Sequence, residues 1–359
     1  MIERSGVFII GGDAGSTIDL IPVAALLKES GITVRWFADS GPQAQAGSIM
    51  ARHGIAYEMR GPNLGDDPAV ILFGYSNKAI DAQNLWIGWA MTRRATGGKI
   101  IPVVGYDDLF VNAIRPNVMD AEPDEILVIS PLAERLVRDR SPGAKITVVG
   151  KSLHIPDERE RQKKRVALRA EYKLGAEDFL VAFGFAGEPA DHAPAQIDEI
   201  LRQRSVFHPE TIFAFRFHPA HPRRTELAER MAVSGLRSVD MNAEPLLDVY
   251  MASDAVVAGY GSTDAYRTVL MGIPTLTLLF PDDLEYRMEI GYPGGIPPII
   301  VGNVLWGVDT VSYLASMLRR IREMPDLARQ RTQERAAQFR DLCMPDAAER
   351  IAAAVMKYL

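Results

Sequence analysis

The chain has 359 residues, 47% of them hydrophobic and 24% charged, and carries a net charge of −6 from 40 basic and 46 acidic side chains. That length exceeds what one hydrophobic core usually serves, so two domains are expected. The acidic balance argues against nucleic-acid binding driven by overall charge, and the lone Cys343 rules out an intrachain disulfide or a cysteine-based zinc cluster.

A reducing cytosol is the natural setting for so few thiols, and a cytoplasmic protein is expected. The opening MIERSGVFIIGGD holds only four consecutive apolar residues, too few for a signal-peptide core. No stretch reaches the roughly 18 apolar residues of a spanning helix, so no integral membrane span is expected.

In chain order, Val7 to Ile10 reads as a strand buried on both faces. Gly11-Gly12-Asp13-Ala14-Gly15-Ser16-Thr17 follows, then a helix to about Ser30, and a second strand from Thr33 to Ala38. This spacing is not the dinucleotide fingerprint G-x-G-x-x-G. It does place a glycine loop at a strand's carboxyl end, where open parallel sheets bind ligands. A plain strand-to-helix turn explains it as well. Asp13 is either a general base or a cap for the helix.

Ala69 to Phe73 reads as a strand and Ile80 to Met91 as a helix carrying Trp86 and Trp89, expected in packing rather than as a sugar platform. Lys99 to Val104 is a buried strand closed by Gly105-Tyr106-Asp107-Asp108. Carboxylates at such an end suit acid–base work or merely cap the turn. Strands at 125–130 and 145–149 follow, with a helix between them. The charged run PDERERQKKRVALRAEYKLG reads as a linker and an exposed helix, the place for a domain boundary.

The second half repeats the pattern. Phe179 to Phe183 is a strand, and Gly184-Phe185-Ala186-Gly187 a second glycine turn. Thr211 to Phe217 is a strand running into Arg216, His218, Pro219, Ala220, His221 and Pro222. The prolines disfavour a helix there, so the two histidines are not expected to bind metal, and an anion suits the group better. Ala255 to Ala258 is a short strand. Gly259-Tyr260-Gly261 follows, then Ser262 or Thr263 as a helix cap, with Asp264 in the first turn. Free amides at that helix start suit a diphosphate, although an ordinary turn accounts for the glycines too. Residues 281–303 are rich in proline and glycine, and two helical patterns, about 309–323 and 325–358, finish the chain.

Strands alternating with helices predict α/β architecture: two doubly wound Rossmann-like domains facing a cleft. The boundaries expected are 1–152, 165–335, and a last helix, 336–359, packing back on the first domain.

The glycine turn at 11–17, ILVISPLAERLVRDRSPGAKITVVGKSLHIP at 126–156, RFHPAHP at 216–222 and SDAVVAGYGSTDAYRTVLMGIPTL at 253–276 resemble the GT-B glycosyltransferase superfamily. That clan also holds the UDP-N-acetylglucosamine 2-epimerases. RFHPAHP looks like the Arg-x-His-Pro box of capsule and teichoic-acid-type transferases. The resemblance implies a nucleotide-sugar co-substrate and no further cofactor. It implies a donor site in the second domain at Gly184, Arg216, His218, Gly261, Ser262, Thr263, Asp264 and Arg267. On the first domain it implies an acceptor side at Gly12, Gly15, Ser16 and Asp108, with Asp13 and His218 as catalytic groups. A sugar or a lipid-linked acceptor fits.

One departure stands out. Such proteins often carry Ser-Thr-x-x-x-Glu, the Glu holding the donor ribose, whereas Arg267 occupies that place here. Asp264 takes the ribose instead, or the donor carries an extra anion, or donor use is altered or lost. A sugar-nucleotide hydrolase or epimerase, or a binding protein that kept the fold, is therefore the alternative to a transferase.

Overall fold

The structure is a computed structural model. It describes residues 6–12, 14–38, 46–75, 80–108, 123–151, 153, 155–185, 192–218, 221–259, 263–281, 284–285, 288, 294, 306–337 and 344–359. The chain divides into two compact units, Met1–Leu153 with Asp341–Leu359, and His154–Arg340.

The first unit is built on a seven-stranded parallel sheet. Its strands are β1 (Val7–Ile10), β2 (Val34–Phe37), β3 (Tyr57–Glu58), β4 (Val70–Gly74), β5 (Val103–Asp107), β6 (Glu125–Val128) and β7 (Lys145–Val148). They lie in the order β3-β2-β1-β4-β5-β6-β7. Helices α1 (Ala14–Glu29), α2 (Ala46–Arg52), α3 (Ile80–Ala95) and α4 (Pro131–Arg140) connect them. β1, β4, β5 and β6 are buried along their whole length, as strands covered by helices on both faces must be. Trp86 is a core residue, packed edge-on against Phe8 and tilted on Phe37.

β5 starts later than the apolar run from Lys99 suggests. Pro102 has no N–H to give a ladder, and its carbonyl accepts from Ile71 just before pairing begins. Asp107 is thus the last residue of the strand rather than part of a turn.

The second unit has a six-stranded parallel sheet. It comprises β8 (Phe179–Phe185), β9 (Thr211–Phe217), β10 (Ser238–Val239), β11 (Ala255–Ala258), β12 (Thr275–Leu278) and β13 (Trp306–Val308), in the order β10-β9-β8-β11-β12-β13. This is the doubly wound order, with the switch point between β8 and β11. The helices are α5 (Glu158–Glu171), α6 (His192–Arg202), α7 (Arg224–Ala232), α8 (Leu246–Ala252), α9 (Thr263–Leu270), α10 (Val311–Glu323) and α11 (Pro325–Ala337).

Alternate residues of each strand feed two cores. Phe183, Phe185, Phe213, Phe215 and Phe217 fill one face, and Leu180, Ala182, Ala214, Val256 and Ala258 the other, against α8 and α9. α5 is largely exposed yet is no linker. Asp157 caps it, Leu168 and Arg169 are buried, and Arg165 and Arg169 both bind Asp254 ahead of β11.

The helical pattern at 325–358 is two helices. α11 ends at Ala337, and α12 (Ala347–Met356) starts after Pro345, whose ring bars a continuous helix. α12 lies against α1 in the first unit. The chain end is tied there by Tyr358, whose hydroxyl donates to buried Glu125 at 2.7 Å, beside the Lys145–Glu125 pair.

Candidate functional site

In the second unit, the register aligns Gly184 of β8 with Arg216 of β9 on one side and with Ala258 of β11 on the other. Three strand ends therefore form one row at the carboxyl edge of the sheet. The Arg-x-His-Pro segment and the glycine turn after β11 are not on neighbouring strands, as their similar endings suggest. β8 runs between them, setting β9 and β11 about 10 Å apart.

Gly184 belongs to the strand rather than to a turn, held by ladder bonds on both sides. A Cβ at Gly184 would collide with the hydroxyl of Tyr250, a buried residue of α8. Its lack of a side chain thus admits Tyr250.

Arg216 points to the same face. It is 8% exposed, and its Nη1 donates to the Met241 carbonyl at 2.9 Å, while its Nε is buried without a hydrogen bond. Burial, and then the nearby Arg224, push the guanidinium below its ordinary value. Arg216 therefore ties β9 to the segment leading into α8.

His218, two residues on, is exposed. His221 is buried: its N–H donates to the His218 carbonyl at 2.9 Å, and its Nδ1 accepts from the Arg223 N–H at 3.2 Å. That ring shapes the turn. α9 opens at Thr263, and Arg267 is half-buried on it. Gly261, Ser262 and the side chains of Thr263 and Asp264 lie outside the described residues, as does Asp13 in the first unit.

The first unit holds a buried ionic cluster at the carboxyl edge of its sheet. Asp108 follows β5 and is 2% exposed. Lys151, three residues beyond β7, places its Nζ 3.0 Å from Asp108 Oδ2, 2.9 Å from the Asp108 carbonyl and 2.9 Å from Asp19 Oδ2. Tyr106 donates its hydroxyl to Asp19 at 3.1 Å. Burial raises the Asp19 carboxyl above its usual range, with the Asp108 charge adding and Lys151 opposing. Lys151 is held well above the ordinary lysine value by the two carboxylates despite its burial. Burial, then Asp19 and Asp108, push the Tyr106 hydroxyl upward as well. The cluster can hold a proton on a carboxyl group and keep Asp108 in one orientation.

The other acceptor-side residues are packed. Gly12 is buried after β1, Gly15 is half-buried in the first turn of α1, and Ser16 is buried against Gly74 of β4.

Lys151 and Asp19 are functional candidates that the reading of motifs missed. Their signals were faint: one lysine directly after the apolar ITVVG, and one aspartate inside the apolar helix face TIDLIPV. Among the described residues, no group of three or more His, Cys, Asp or Glu is placed to hold a metal ion.

No family model matches the sequence, and no curated protein matches it. Solved structures match along nearly the whole chain. The Anabaena protein HepE, in complex with UDP-glucose, is similar with a TM-score of 0.63 at 12% identity, over 98% of this chain and 100% of that one. The UDP-GlcNAc 2-epimerase of Neisseria meningitidis bound to UDP-GlcNAc gives 0.62 at 12%, over 98% and 100%. MurG of Acinetobacter baumannii gives 0.57 at 12%, over 98% and 99%. The chain thus has the fold shared by GT-B glycosyltransferases and UDP-GlcNAc 2-epimerases.

Proposed function

We propose that this chain is a nucleotide-sugar-dependent glycosyltransferase of GT-B fold, inverting and metal-independent, working in the cytoplasm with no cofactor beyond its co-substrate. The observation that carries the reading is the carboxyl edge of the second sheet. There α9 opens shortly after β11, which pairs with β8, and exposed His218 follows β9 on the other side of β8. Amides at a helix start favour the charge that builds on a leaving diphosphate. His218 adds a donor there, and Arg216 supports the edge from beneath. In the first unit, Asp108, fixed by Lys151, is the base for an acceptor hydroxyl.

Two of the similar structures hold UDP-glucose and UDP-GlcNAc, which favours a uridine donor. The acceptor is a sugar or a lipid-linked sugar.

Titration calorimetry with UDP and with UDP-, GDP- and CDP-sugars tests the donor half. Product analysis by mass spectrometry, with and without sugar acceptors, tests the transfer. Binding of one nucleotide class and product only with acceptor is the expected result. Epimer or free sugar formed without acceptor would favour the second reading, supported by the epimerase fold match, of a sugar-nucleotide epimerase or hydrolase. No nucleotide binding at all would leave a binding protein that kept the fold.

A further inference from the structure

Most of the described arginines are matched to carboxylates or backbone carbonyls. The hairpin of α10 and α11 departs from this. Arg319, Arg320, Arg331 and Arg335 make no ion pair or hydrogen bond among the described residues. Arg331 and Arg335 sit one helical turn apart, where like charges repel, and Arg331 contributes, after burial, to lowering Arg335. Arg335 stacks 4.2 Å over the Trp306 ring, and its Nη1 is buried without a hydrogen bond.

The acids on these helices do not answer that charge. Arg329 holds Asp326 at 3.6 Å, and Glu334 accepts from Gln330 at 2.8 Å. Glu323 makes no ion pair among the described residues, and no carboxylate lines the groove.

The groove between the two helices is about 130 Å³ and is lined by Trp306, Tyr313, Met324 and Leu327 together with Arg320 and Arg331. Tyr313, Met324 and Leu327 are 44%, 41% and 39% exposed. Uncompensated cations interleaved with exposed apolar side chains complement an anionic interface that has an apolar interior. A free phosphate would use the arginines and leave the apolar rim idle. No described helix is long and apolar enough to cross a membrane.

We propose that the α10–α11 face docks the protein on a bilayer rich in anionic phospholipid, with Arg320 and Arg331 at the headgroups and Tyr313, Met324 and Leu327 at the acyl boundary. Trp306, which lines the groove, opens β13. The proposal is independent of the nucleotide reading.

The test is flotation of the full chain with vesicles of phosphatidylcholine alone and of phosphatidylcholine with phosphatidylglycerol, at moderate salt. Arginines near an anionic surface act roughly additively, so R320A/R331A should lower partitioning about 30-fold. Leu327→Ser should lower it with the salt dependence intact. Circular dichroism and a thermal melt establish that each variant is folded. Flotation with the anionic vesicles only, lost in R320A/R331A, is the expected result. Failure of the wild-type chain to float, equal flotation on both vesicles, or flotation undiminished in a folded R320A/R331A overturns the proposal. So does retention on a poly-glutamate resin or on inorganic phosphate without flotation, since the partner would then be an acidic protein or a free anion.

Discussion

Replacing Lys151 by methionine should destabilise the first unit selectively. Lys151 is 5% exposed and spends its three donors on Asp19, on Asp108 and on the Asp108 carbonyl at 2.9–3.0 Å. Methionine keeps most of the volume but leaves two buried carboxylates facing each other with no cation. Removing one partner of a buried ionic group costs about 3–5 kcal/mol. A domain is stable by only about 5–15 kcal/mol, so the effect should be plain. Urea unfolding followed by tryptophan fluorescence reads the right unit if Trp306 is first changed to Phe, because Trp36, Trp86 and Trp89 belong to the first unit. With a slope of about 2 kcal/mol per molar urea, the midpoint should fall by about 2 M.

Asp19→Asn in the same background should return part of the loss. The pH dependence follows from the sign of the Asp19 shift. A carboxyl raised in the folded state contributes stability that is present below its unfolded value of 3.8 and is lost as pH rises through the folded one. Without Lys151 to oppose the shift, Asp19 rises further, so the penalty should be larger at about pH 8 than at about pH 5. A midpoint change under about 0.5 M, or a penalty that grows toward acid, would refute the ionic reading of this cluster.

Gly184→Ala should cost about 1–3 kcal/mol, since its methyl group meets the Tyr250 hydroxyl, and a thermal melt should show Tyr250→Phe restoring much of it. Tyr358→Phe should cost about 1.5 kcal/mol by loss of its bond to Glu125. Burial works against the Glu125 charge, but Lys145, Thr147 and Tyr358 together hold the carboxyl below its usual range. Its contribution is therefore present above 4.5 and lost toward acid, so melts of wild type and Tyr358→Phe should converge as pH falls below about 4. His218→Ala should weaken nucleotide binding about ten- to a hundredfold by calorimetry, whereas exposed His53→Ala should not. Arg267→Glu should strengthen binding of plain UDP- or GDP-sugars if position 267 faces the ribose, and abolish it if the natural donor carries an extra anion there.

The strands were legible wherever both faces are covered, because burial on two sides leaves an uninterrupted apolar run. VFII, VILFG and FLVAF carry that signal in their own residues. The order of the strands was not, since order depends on which side each crossover takes. The place of β8 between β9 and β11 is therefore carried by no local signal at any of the three strand ends. The division of the last helical pattern was written in Pro345 and simply outweighed by the apolar periodicity on either side. The Lys151 cluster was illegible for another reason. Its members stand on α1, after β5 and after β7, and nothing local marks a lysine whose partners are so distant in sequence.

The glycines make the general point. Read along the chain, a glycine at a strand's carboxyl end marks either a backbone that a ligand approaches or a backbone that another side chain approaches, and the two have the same local signature. A Cβ at Gly11 would run into Met50 and Ala46, one at Gly74 into Ser16, and one at Gly184 into Tyr250. All three are therefore spent on the protein's own packing. At Gly150 a positive φ of 82° and a Cβ only 2.6 Å from that of Met344 both demand glycine, where the C-terminal segment crosses the end of β7. What these positions leave for a ligand is backbone amides rather than vacated side-chain space. If the proposed donor site is there, binding should tolerate small side chains in the loop after β11 far better than it tolerates loss of the α9 start. A proline at Asp264, which removes an amide from that first turn, is the substitution that separates a phosphate cradle from an ordinary turn.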